Sequence, residues 1–419
     1  MRRPPIPPLL RRNRSFRNFW TGQTISLFGD EITLLALPLL AVLELNASAA
    51  EMGLLGAAAV APNLLFSIHL GAWTDRHRRR KALMVTADLV RALLLLTIPA
   101  AALLGVLSLA QLYVVAFAAG SLSVLFGVAY NVVFVRLVVR DEYLDAGSLL
   151  NGSRAVSIVA GNSVAGLLVH WFSAPFALFL DACSYLASAF FVGRAEVREE
   201  PADADAPPEG EGTVAGIRYL ARTPAIRACL LAASTLNLFN FGFYALLVLY
   251  ATETLGIGAG AIGLAFAVGG VGCMLGAALA GPLSRRFGLG PALIFGFVLT
   301  PAPLLLVPLA GGMTHLSLAL LIVAEFFNGI GVMLLDVGLG ALWAAAVPDR
   351  LRARVSGAFL LVNYGVRPLG ALAGGLLATV IGLQTTMWVT AIGALAGVLW
   401  LIPSPIPRLR ELPKTALEG

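Results

Sequence analysis

Carboxyl groups recur inside the apolar stretches of this 419-residue chain, in company with other polar side chains. The first stretch contains Gln23, Ser26, Asp30 and Thr33, and Glu31 directly follows Asp30. Spacings of three, four and three positions place the first four on one face of a helix. Away from water, burial and mutual repulsion favour the protonated form of two adjacent carboxyls. Such a pair can carry a proton, although a polar pair that only packs helices together would look the same.

Two further acids and an arginine lie in later apolar stretches. Glu325 and Asp336 are 11 residues apart, three helical turns, so they project from one side of a helix that also carries Asn328. Asp336 is close to the end of its stretch and can reach water, which makes Glu325 the better candidate for carrying a proton.

Arg367 is 13 residues beyond Arg354, about 20 Å along a helix, and Asn363 lies one turn before it. This depth predicts that Arg367 needs a carboxylate partner. Asp30, Glu31 and Glu325 are equally acceptable on the sequence.

Three other embedded charges are predicted to be mainly structural or carry no assignment. Asp88 and Arg91 are three residues apart in the third apolar run, so they can pair with each other on one helix face. Asp181 in the sixth run has no obvious partner in the sequence.

The composition defines the surroundings of these charges. Hydrophobic residues make up 58% of the chain and charged residues 12%, with a mean hydropathy of +0.86. A soluble domain carries about twice that share of charge. The chain is therefore predicted to be a polytopic membrane protein. Its three cysteines show no CxxC pairing, so neither a disulfide framework nor a zinc site is expected.

Twelve apolar runs approach the ~20 residues that a helix needs to cross a bilayer. Their length favours helices over barrel strands. The predicted spans are 19–43, 52–74, 82–107, 109–137, 147–171, 173–194, 226–252, 258–283, 289–311, 315–343, 354–381 and 383–404.

The cations predict an orientation. Nearly all of the 29 Lys and Arg lie at the two termini or in alternate loops, which places both termini in the cytoplasm. The net charge of +6 is therefore a topology signal, and no nucleic-acid partner is expected.

The chain divides into two similar halves. We predict an N-terminal six-helix bundle at 1–194, a cytoplasmic linker at 195–225 that ends in a short surface helix, and a C-terminal bundle with a short tail at 226–419. The acidic, Pro-rich start of the linker favours a flexible tether. Gly71 and Gly281 are 210 residues apart, as are Asp30 and Asn240. An internal repeat of half the chain length is typical of transporters built from two bundles.

The loop after the second run reads GAWTDRHRRRK at 71–81, and GPLSRRFGLG at 281–290 is a partial copy. The first resembles the loop 2–3 signature of the major facilitator superfamily, G-x-L-a-D-r-x-G-r-k. SLFGDEI, DLVRALLLL, FLDACSYLASA and RYLARTPAIR are similar to segments of its drug:proton antiporter branch, which includes macrolide-efflux pumps and a catecholate-siderophore exporter. The resemblance implies an all-α fold of twelve transmembrane helices in two pseudo-symmetric bundles.

The resemblance also implies a gating role for the loop, in which Asp75 holds a cation at the cytoplasmic mouth and releases it during the transport cycle. A topology anchor is the alternative, but it would need neither Gly71 nor Asp75. Arg285 stands where the second copy would have its acid. The candidate gating residues are Gly71, Asp75, Arg76, Arg79, Arg80, Gly281 and Arg286.

One motif departs from the antiporter pattern. Antiporters of this superfamily carry G-P-x-x-G-G in the fifth helix, whereas this chain reads GNSVAG at 161–166. Asn162 replaces the proline, and Ala165 replaces a glycine. The direction of transport is therefore less firmly implied than the fold.

The expected function is proton-coupled efflux of an amphiphilic small molecule by a monomer in the cytoplasmic membrane, with protons as the coupling ion and no cofactor. Proton-driven uptake of a metabolite is the alternative. A membrane enzyme is not expected because no HExxH, GxxxxGK[ST] or Ser/His/Asp set is found, and a receptor would need a folded domain outside the membrane. The candidate cavity residues mix amides with aromatics: Gln23, Asn63, Asn237, Asn240, Phe241, Tyr244 and Asn363.

Overall fold

The computed structural model describes residues 7–76, 79–197, 218–311, 316–347 and 349–410, except for the side chains of residues 68, 71, 72, 75, 76, 349–354 and 356. Every regular element in these ranges is helical. Twelve helical stretches of the described chain are long and apolar enough to cross a membrane, which confirms the predicted number and class.

The twelve helices follow one another along the chain, with short connections except for the linker between the sixth and the seventh. Their bounds are α1 Arg14–Leu43, α2 Ala49–Arg76, α3 Arg80–Leu103, α4 Leu109–Leu137, α5 Tyr143–Trp171, α6 Ala174–Arg194, α7 Pro224–Leu249, α8 Ala259–Phe287, α9 Leu289–Leu299, α10 Ser317–Ala346, α11 Asp349–Ile381 and α12 Leu383–Ala396.

Some helices begin or end at residues other than those that hydropathy predicts, because capping side chains and prolines also determine where a helix begins and ends. α1 begins five residues earlier than predicted because the Asn13 side chain caps it, accepting a hydrogen bond from the backbone N–H of Phe16 at 2.8 Å. α9 ends early, and the ninth span continues as a 3-10 turn, Ala302–Leu305, and a single α turn, Leu306–Leu309. Three prolines that follow Leu299, at positions 301, 303 and 308, lack the N–H that a continuous helix needs.

The chain forms two compact units. Unit 1 comprises Met1–Leu45 and Leu65–Ala206, and unit 2 comprises Asn46–Leu64 and Pro207–Gly419. In unit 1, α1 packs against α5 and α6, and α3 packs against α4 and α6. In unit 2, α7 packs against α11 and α12, and α10 packs against α8 and α9. The pairs α1/α5, α1/α6 and α3/α4 thus have counterparts six helices later, as an internal repeat requires.

Two glycines show the repeat at the level of single contacts. A Cβ on Gly161 would lie 3.2 Å from the backbone oxygen of Phe28. A Cβ on Gly370 would overlap the backbone oxygen of Leu238. The second pair follows the first by the same offsets, 209 and 210 residues, that relate the repeated motifs. Small residues therefore allow the same close helix crossing in each unit.

The first half of α2 packs within unit 2. Gly53 lies against α11, where an added Cβ would come within 2.7 Å of the Ala371 backbone oxygen and the Gly375 Cα. A Cβ on Gly56, one turn later, would lie 3.2 Å from the Ala245 Cβ of α7. These glycines let the backbones of α2, α7 and α11 approach closely. We call this contact the glycine groove.

Gly53→Ala is expected to destabilise the protein by about 1–3 kcal/mol, because its methyl group meets backbone atoms that cannot rotate away. Gly127→Ala in α4 is the matched control, since a Cβ there meets no atom within 4 Å. Helix propensity alone should make that control neutral or stabilising by up to about 1 kcal/mol. Thermal unfolding of the purified protein in detergent measures both. Equal melting temperatures for the two variants would contradict the close packing.

The linker meets unit 2 through packed residues. Residues 198–217 lie outside the described residues, but 218–222 are helical. Leu220 is buried in a hydrophobic cluster with Ile226 and Val347, and the Tyr219 hydroxyl donates a hydrogen bond to the Ala346 carbonyl at 2.8 Å. This end of the linker is therefore packed against unit 2.

Candidate functional site

Asp30 lies on the face of α1 that meets α6. Its carboxylate accepts a hydrogen bond from the hydroxyl of Tyr185, which is buried. The two helices come this close because of Gly29, where a Cβ would overlap the side chains of Asp181 and Ser184 on α6. Glycine in α1 is therefore a condition for the contact between this acid and this tyrosine.

Arg91 supplies a positive charge next to this contact. It forms the predicted ion pair with Asp88, one turn earlier on α3, and both side chains are buried. Its guanidinium lies 4.3 Å from the centre of the Tyr185 ring and 4.8 Å from that of Phe126. The sequence predicted the i, i+3 pair but not its position beside the ring that binds Asp30.

Asp181 is the acid for which the sequence offered no partner. It is fully buried, and it accepts hydrogen bonds from Thr33 of α1 and, at 2.8 Å, from Ser184. Thr33 was predicted to share a helix face with Asp30, and that face meets α6. To predict these partners of Asp181 one would have to know that α1 packs against α6, and no local sequence pattern reveals that packing.

The three buried carboxyls of unit 1 therefore have different partners. Arg91 forms its ion pair with Asp88, whereas Asp30 and Asp181 are bonded by hydroxyl groups.

Glu31 faces a different helix from Asp30. Its carboxylate accepts a hydrogen bond from the Asn162 amide of α5 at 3.0 Å. Gly161 permits this approach, since a Cβ there would lie 2.7 Å from the Glu31 Cβ. Asn162 is the residue that replaces the antiporter proline, so the departure from that motif supplies the partner of an acid.

Unit 2 has a buried acid of its own, Glu325, at a position that the repeat does not relate to Asp30. It is buried on α10, and its two carboxyl oxygens lie 3.2 and 3.1 Å from the hydroxyl of Tyr244 on α7. The same hydroxyl lies 3.0 Å from the side-chain oxygen of Asn328, whose amide donates to the Thr300 carbonyl at 2.7 Å. Tyr244 was predicted as a cavity residue, and the structure places it on the predicted acid.

Arg367 lies on α11 among aromatic rings. Its guanidinium carbon is 4.1 Å from the centre of the Tyr364 ring and 5.0 Å from that of Phe241. The Nε atom has no hydrogen-bond partner among the described residues, and no ion pair joins Arg367 to Glu325 within unit 2 as described. The ring faces, rather than the Glu325 carboxylate, hold this cation.

The other cavity candidates divide between the units. In unit 2 the Asn237 amide donates to the Asn363 side-chain oxygen at 2.9 Å, and Asn240 has a buried oxygen with no partner in the described chain. Asn63, also in unit 2, is half-buried. Gln23 is buried in unit 1, and its Nε2 has no partner among the residues described. Their role in binding stays a prediction.

The loop motif is only partly described. Gly71, Asp75 and Arg76 are at the end of α2, but their side chains lie outside the described ones, as do residues 77 and 78. Arg79 precedes α3 and is exposed, and Arg80 donates to the Thr74 carbonyl at 3.4 Å.

The second copy of the motif is described throughout. Arg286 lies over the ring of Phe287 at 5.4 Å, and a Cβ on Gly281 would lie 3.2 Å from the Arg285 guanidinium. Gating by either copy stays a prediction.

Solved structures define the class of this fold. A bacterial homologue of the iron transporter ferroportin, in an inward-facing state, matches with a TM-score of 0.75 and 17% identity over 93% of this chain and 98% of that one. A bacterial homologue of the human lysosomal transporter Spinster, inward-facing and unoccupied, matches at 0.69 and 15% over 96% and 98%. Twelve helices in two repeated units therefore form the fold of major facilitator transporters.

The sequence identifies the family. Residues 5–418 match the model of the transmembrane secretion effectors of the major facilitator superfamily, so the chain belongs to that family. It is 28% identical to the uncharacterized MFS-type transporter YfiS of Bacillus subtilis (strain 168), over 96% of both chains. It is 27% identical to the multidrug efflux pump Tap of Mycolicibacterium fortuitum, over 92% of this chain and 93% of Tap. The protein is a multi-pass membrane transporter, with a small molecule as its substrate and the bilayer as its surroundings.

Proposed function

We propose that this transporter exports amphiphilic small molecules across the cytoplasmic membrane in exchange for protons. One observation carries the proposal: each unit holds a carboxyl within its membrane-spanning helices that is bonded by a tyrosine hydroxyl from a neighbouring helix, Asp30 with Tyr185 and Glu325 with Tyr244. Ionisable groups at such depth are expensive and mark proton pathways.

The transport cycle uses these carboxyls as proton carriers. A proton from outside binds a carboxylate oxygen and neutralises it, and the same proton leaves to the cytoplasm when the site opens inward. The substrate moves outward on the return step. Glu31 is a further carrier, because its charge is held by a neutral amide. Each carboxyl thus binds one proton and releases one proton per cycle, and the proton gradient supplies the driving force.

The substrate class follows from the side chains around Arg367 in unit 2. The rings of Phe241 and Tyr364 hold its guanidinium, whose Nε is available, and Asn240 offers an unused oxygen. Aromatic faces with a few polar groups suit amphiphilic molecules. The relative Tap, named a multidrug efflux pump, supports export. In this proposal the protein works as a monomer with both termini in the cytoplasm, and the loop at 71–81 gates the inner mouth.

Proteoliposomes with imposed pH gradients test the coupling and its sign. The probes are labelled erythromycin, ethidium and a labelled catecholate siderophore, after expression in an efflux-deficient bacterial host has selected those to which the protein confers tolerance. Antiport predicts that vesicles with an acidic lumen accumulate the probe, whichever way the protein is inserted. Vesicles with an acidic exterior should not.

The opposite result would favour the alternative, proton-driven uptake. If the probe accumulates only in vesicles with an acidic exterior, the protein is a symporter. The altered antiporter motif at 161–166 is the sequence feature that favours this alternative. Accumulation that is the same with and without a gradient would contradict both coupled mechanisms. Vesicles without protein give the background from passive diffusion.

A further inference from the structure

We propose that Glu325 carries a proton in this conformation, and that Tyr244 and Asn328 position this proton through a one-way hydrogen-bond relay that ends at the Thr300 carbonyl. The part of the relay in transport rests on the proposed function. The position of the proton does not, because it follows from counting donors and acceptors.

The relay is fixed at its end by a backbone carbonyl. The Thr300 carbonyl, just after α9, can only accept hydrogen bonds, and the Asn328 side chain lies 2.7 Å from it. Asn328 must therefore turn its NH2 group towards Thr300. Its side-chain oxygen then faces the Tyr244 hydroxyl at 3.0 Å, where it can only accept.

The Tyr244 hydroxyl has one proton and three oxygen neighbours. Besides Asn328, both Glu325 oxygens lie within 3.2 Å of it. If Glu325 were ionised, Tyr244 would donate to the carboxylate. Two oxygens without a proton between them, those of Tyr244 and Asn328, would then face each other at hydrogen-bond distance, and a buried acceptor would be unsatisfied.

A protonated Glu325 leaves less unsatisfied than an ionised one. One carboxyl oxygen donates to the Tyr244 oxygen, the Tyr244 hydroxyl donates to Asn328, and the Asn328 amide donates to Thr300. The second carboxyl oxygen has no donor in this arrangement, but it is a neutral C=O, whereas the ionised form leaves both the Asn328 oxygen without a donor and a buried charge. The chain of donors runs in one direction from α10 through α7 to the end of α9. Such chains polarise one another and are stronger than isolated bonds.

Among the described residues, no cation lies close enough to Glu325 to stabilise a carboxylate. Glu325 is 5% exposed, and Gly269 of α8 covers it, with an added Cβ only 3.3 Å from the Glu325 Cβ. The titratable group of α8 on this side is the Cys273 thiol, one turn further on. Arg285 and Arg286, the described cations of α8, follow Gly269 by 16 and 17 residues, about 24 Å along the helix.

The other neighbouring helices add nothing positive. α9 has no titratable residue, and Tyr244 is the group of α7 that faces the acid. Arg227 of α7 lies 17 residues before Tyr244, and Asp336 of α10 lies 11 residues after Glu325. A buried carboxylate without a cation is costly, which favours the neutral form for a reason independent of the relay.

Because of the relay, release of the Glu325 proton depends on a movement of the helices around it. Glu325 gives up its proton without leaving an unsatisfied acceptor only if the Tyr244 hydroxyl turns from Asn328 to the carboxylate. Asn328 then needs another donor, such as entering water. Loss of the proton therefore requires that α7, α9 and α10 separate where they meet, so Tyr244 and Asn328 are positioning residues for the carrier.

Infrared spectroscopy of the purified full-length protein tests where the proton lies. A protonated carboxylic acid has a C=O stretch separate from the amide and carboxylate bands. At pH 7 the wild-type protein is expected to show such a band that disappears in Glu325→Gln. Asp30→Asn and Asp181→Asn, in unit 1, are the controls that leave this component unchanged.

Two substitutions probe the relay in different ways. Tyr244→Phe removes the acceptor of the proton and also the hydroxyl that would bind a carboxylate here. The band should therefore persist and move towards that of an unbonded acid. Asn328→Leu frees the tyrosine proton for the carboxylate, so the band should weaken. A wild-type spectrum unchanged by Glu325→Gln would overturn the proposal. So would a band that appears only in Tyr244→Phe. Tyr244→Phe decides the matter even if Asn328→Leu fails to fold.

The two proposals fail separately. Suppose that the band belongs to Glu325 but probe accumulation is the same with and without a pH gradient. The proton is then positioned as inferred, and the proposed transport coupling is wrong. If accumulation follows the gradient and Glu325→Gln leaves the spectrum unchanged, coupling stands and the relay is wrong.

Discussion

Asp30→Asn is expected to reduce probe accumulation driven by an acidic lumen to the level of protein-free vesicles. The amide has nearly the same shape as the carboxyl, and its oxygen still accepts the hydrogen bond from Tyr185. It cannot bind and release a proton near neutral pH. The variant should therefore insert and fold like the wild type, as measured by yield, gel filtration and thermal unfolding in detergent.

Glu44→Gln is the matched control for this change. Glu44 follows the end of α1 and is exposed, so its neutralisation removes the same charge from the same helix without touching the buried acids. Accumulation by this variant should equal that of the wild type. If Asp30→Asn also transported at the wild-type rate under the same gradient, Asp30 would have no place in the coupling mechanism.

Arg91→Met is expected to cause the largest loss of stability of the substitutions considered. It leaves Asp88 with neither its cation nor access to water, because both side chains are buried and paired with each other. Removing one partner of a buried ion pair costs about 3–5 kcal/mol. Thermal or chemical unfolding in detergent should show this loss, together with a lower yield of monodisperse protein.

A double substitution distinguishes two causes of this loss, the unpaired charge of Asp88 and the lost packing of the Arg91 side chain. Asp88→Asn combined with Arg91→Met removes both charges and should recover most of the stability that the single change loses, since well-packed neutral pairs are tolerated. Arg140→Met, at an exposed site between α4 and α5, should change stability by less than about 0.5 kcal/mol. A single variant as stable as this control would show that the pair contributes nothing to the fold.

Local patterns predicted the fold because each transmembrane helix is encoded by its own residues. Twelve apolar runs gave twelve helices, and a three-residue spacing gave the Asp88–Arg91 pair. The ninth span broke the rule where prolines removed backbone donors from an otherwise apolar run. Hydropathy measures the length of a span, whereas the hydrogen bonds of its backbone decide how regular it is.

The partners of the buried acids were beyond local reasoning. Thr33 and Asp181 are 148 residues apart, and Asn162 and Glu31 are 131 apart, so each contact depends on which helices pack together. Arg367 was expected to pair with Asp30, Glu31 or Glu325, yet within unit 2 two aromatic rings lie against its guanidinium and Asp336 supplies the nearby negative charge. The sequence did not distinguish Asp336 as this partner, because the choice depends on how α10 and α11 pack.

The glycine groove makes the C-terminal half dependent on part of the other half. The first half of α2 fills a place beside α7 and α11, although by chain order it belongs to the other repeat. The C-terminal six helices alone would therefore leave the glycine faces of α11 and α7 uncovered, and expressing that half without residues 46–64 would remove part of its packing. The dependence runs one way, since unit 1 contains no segment of the C-terminal half.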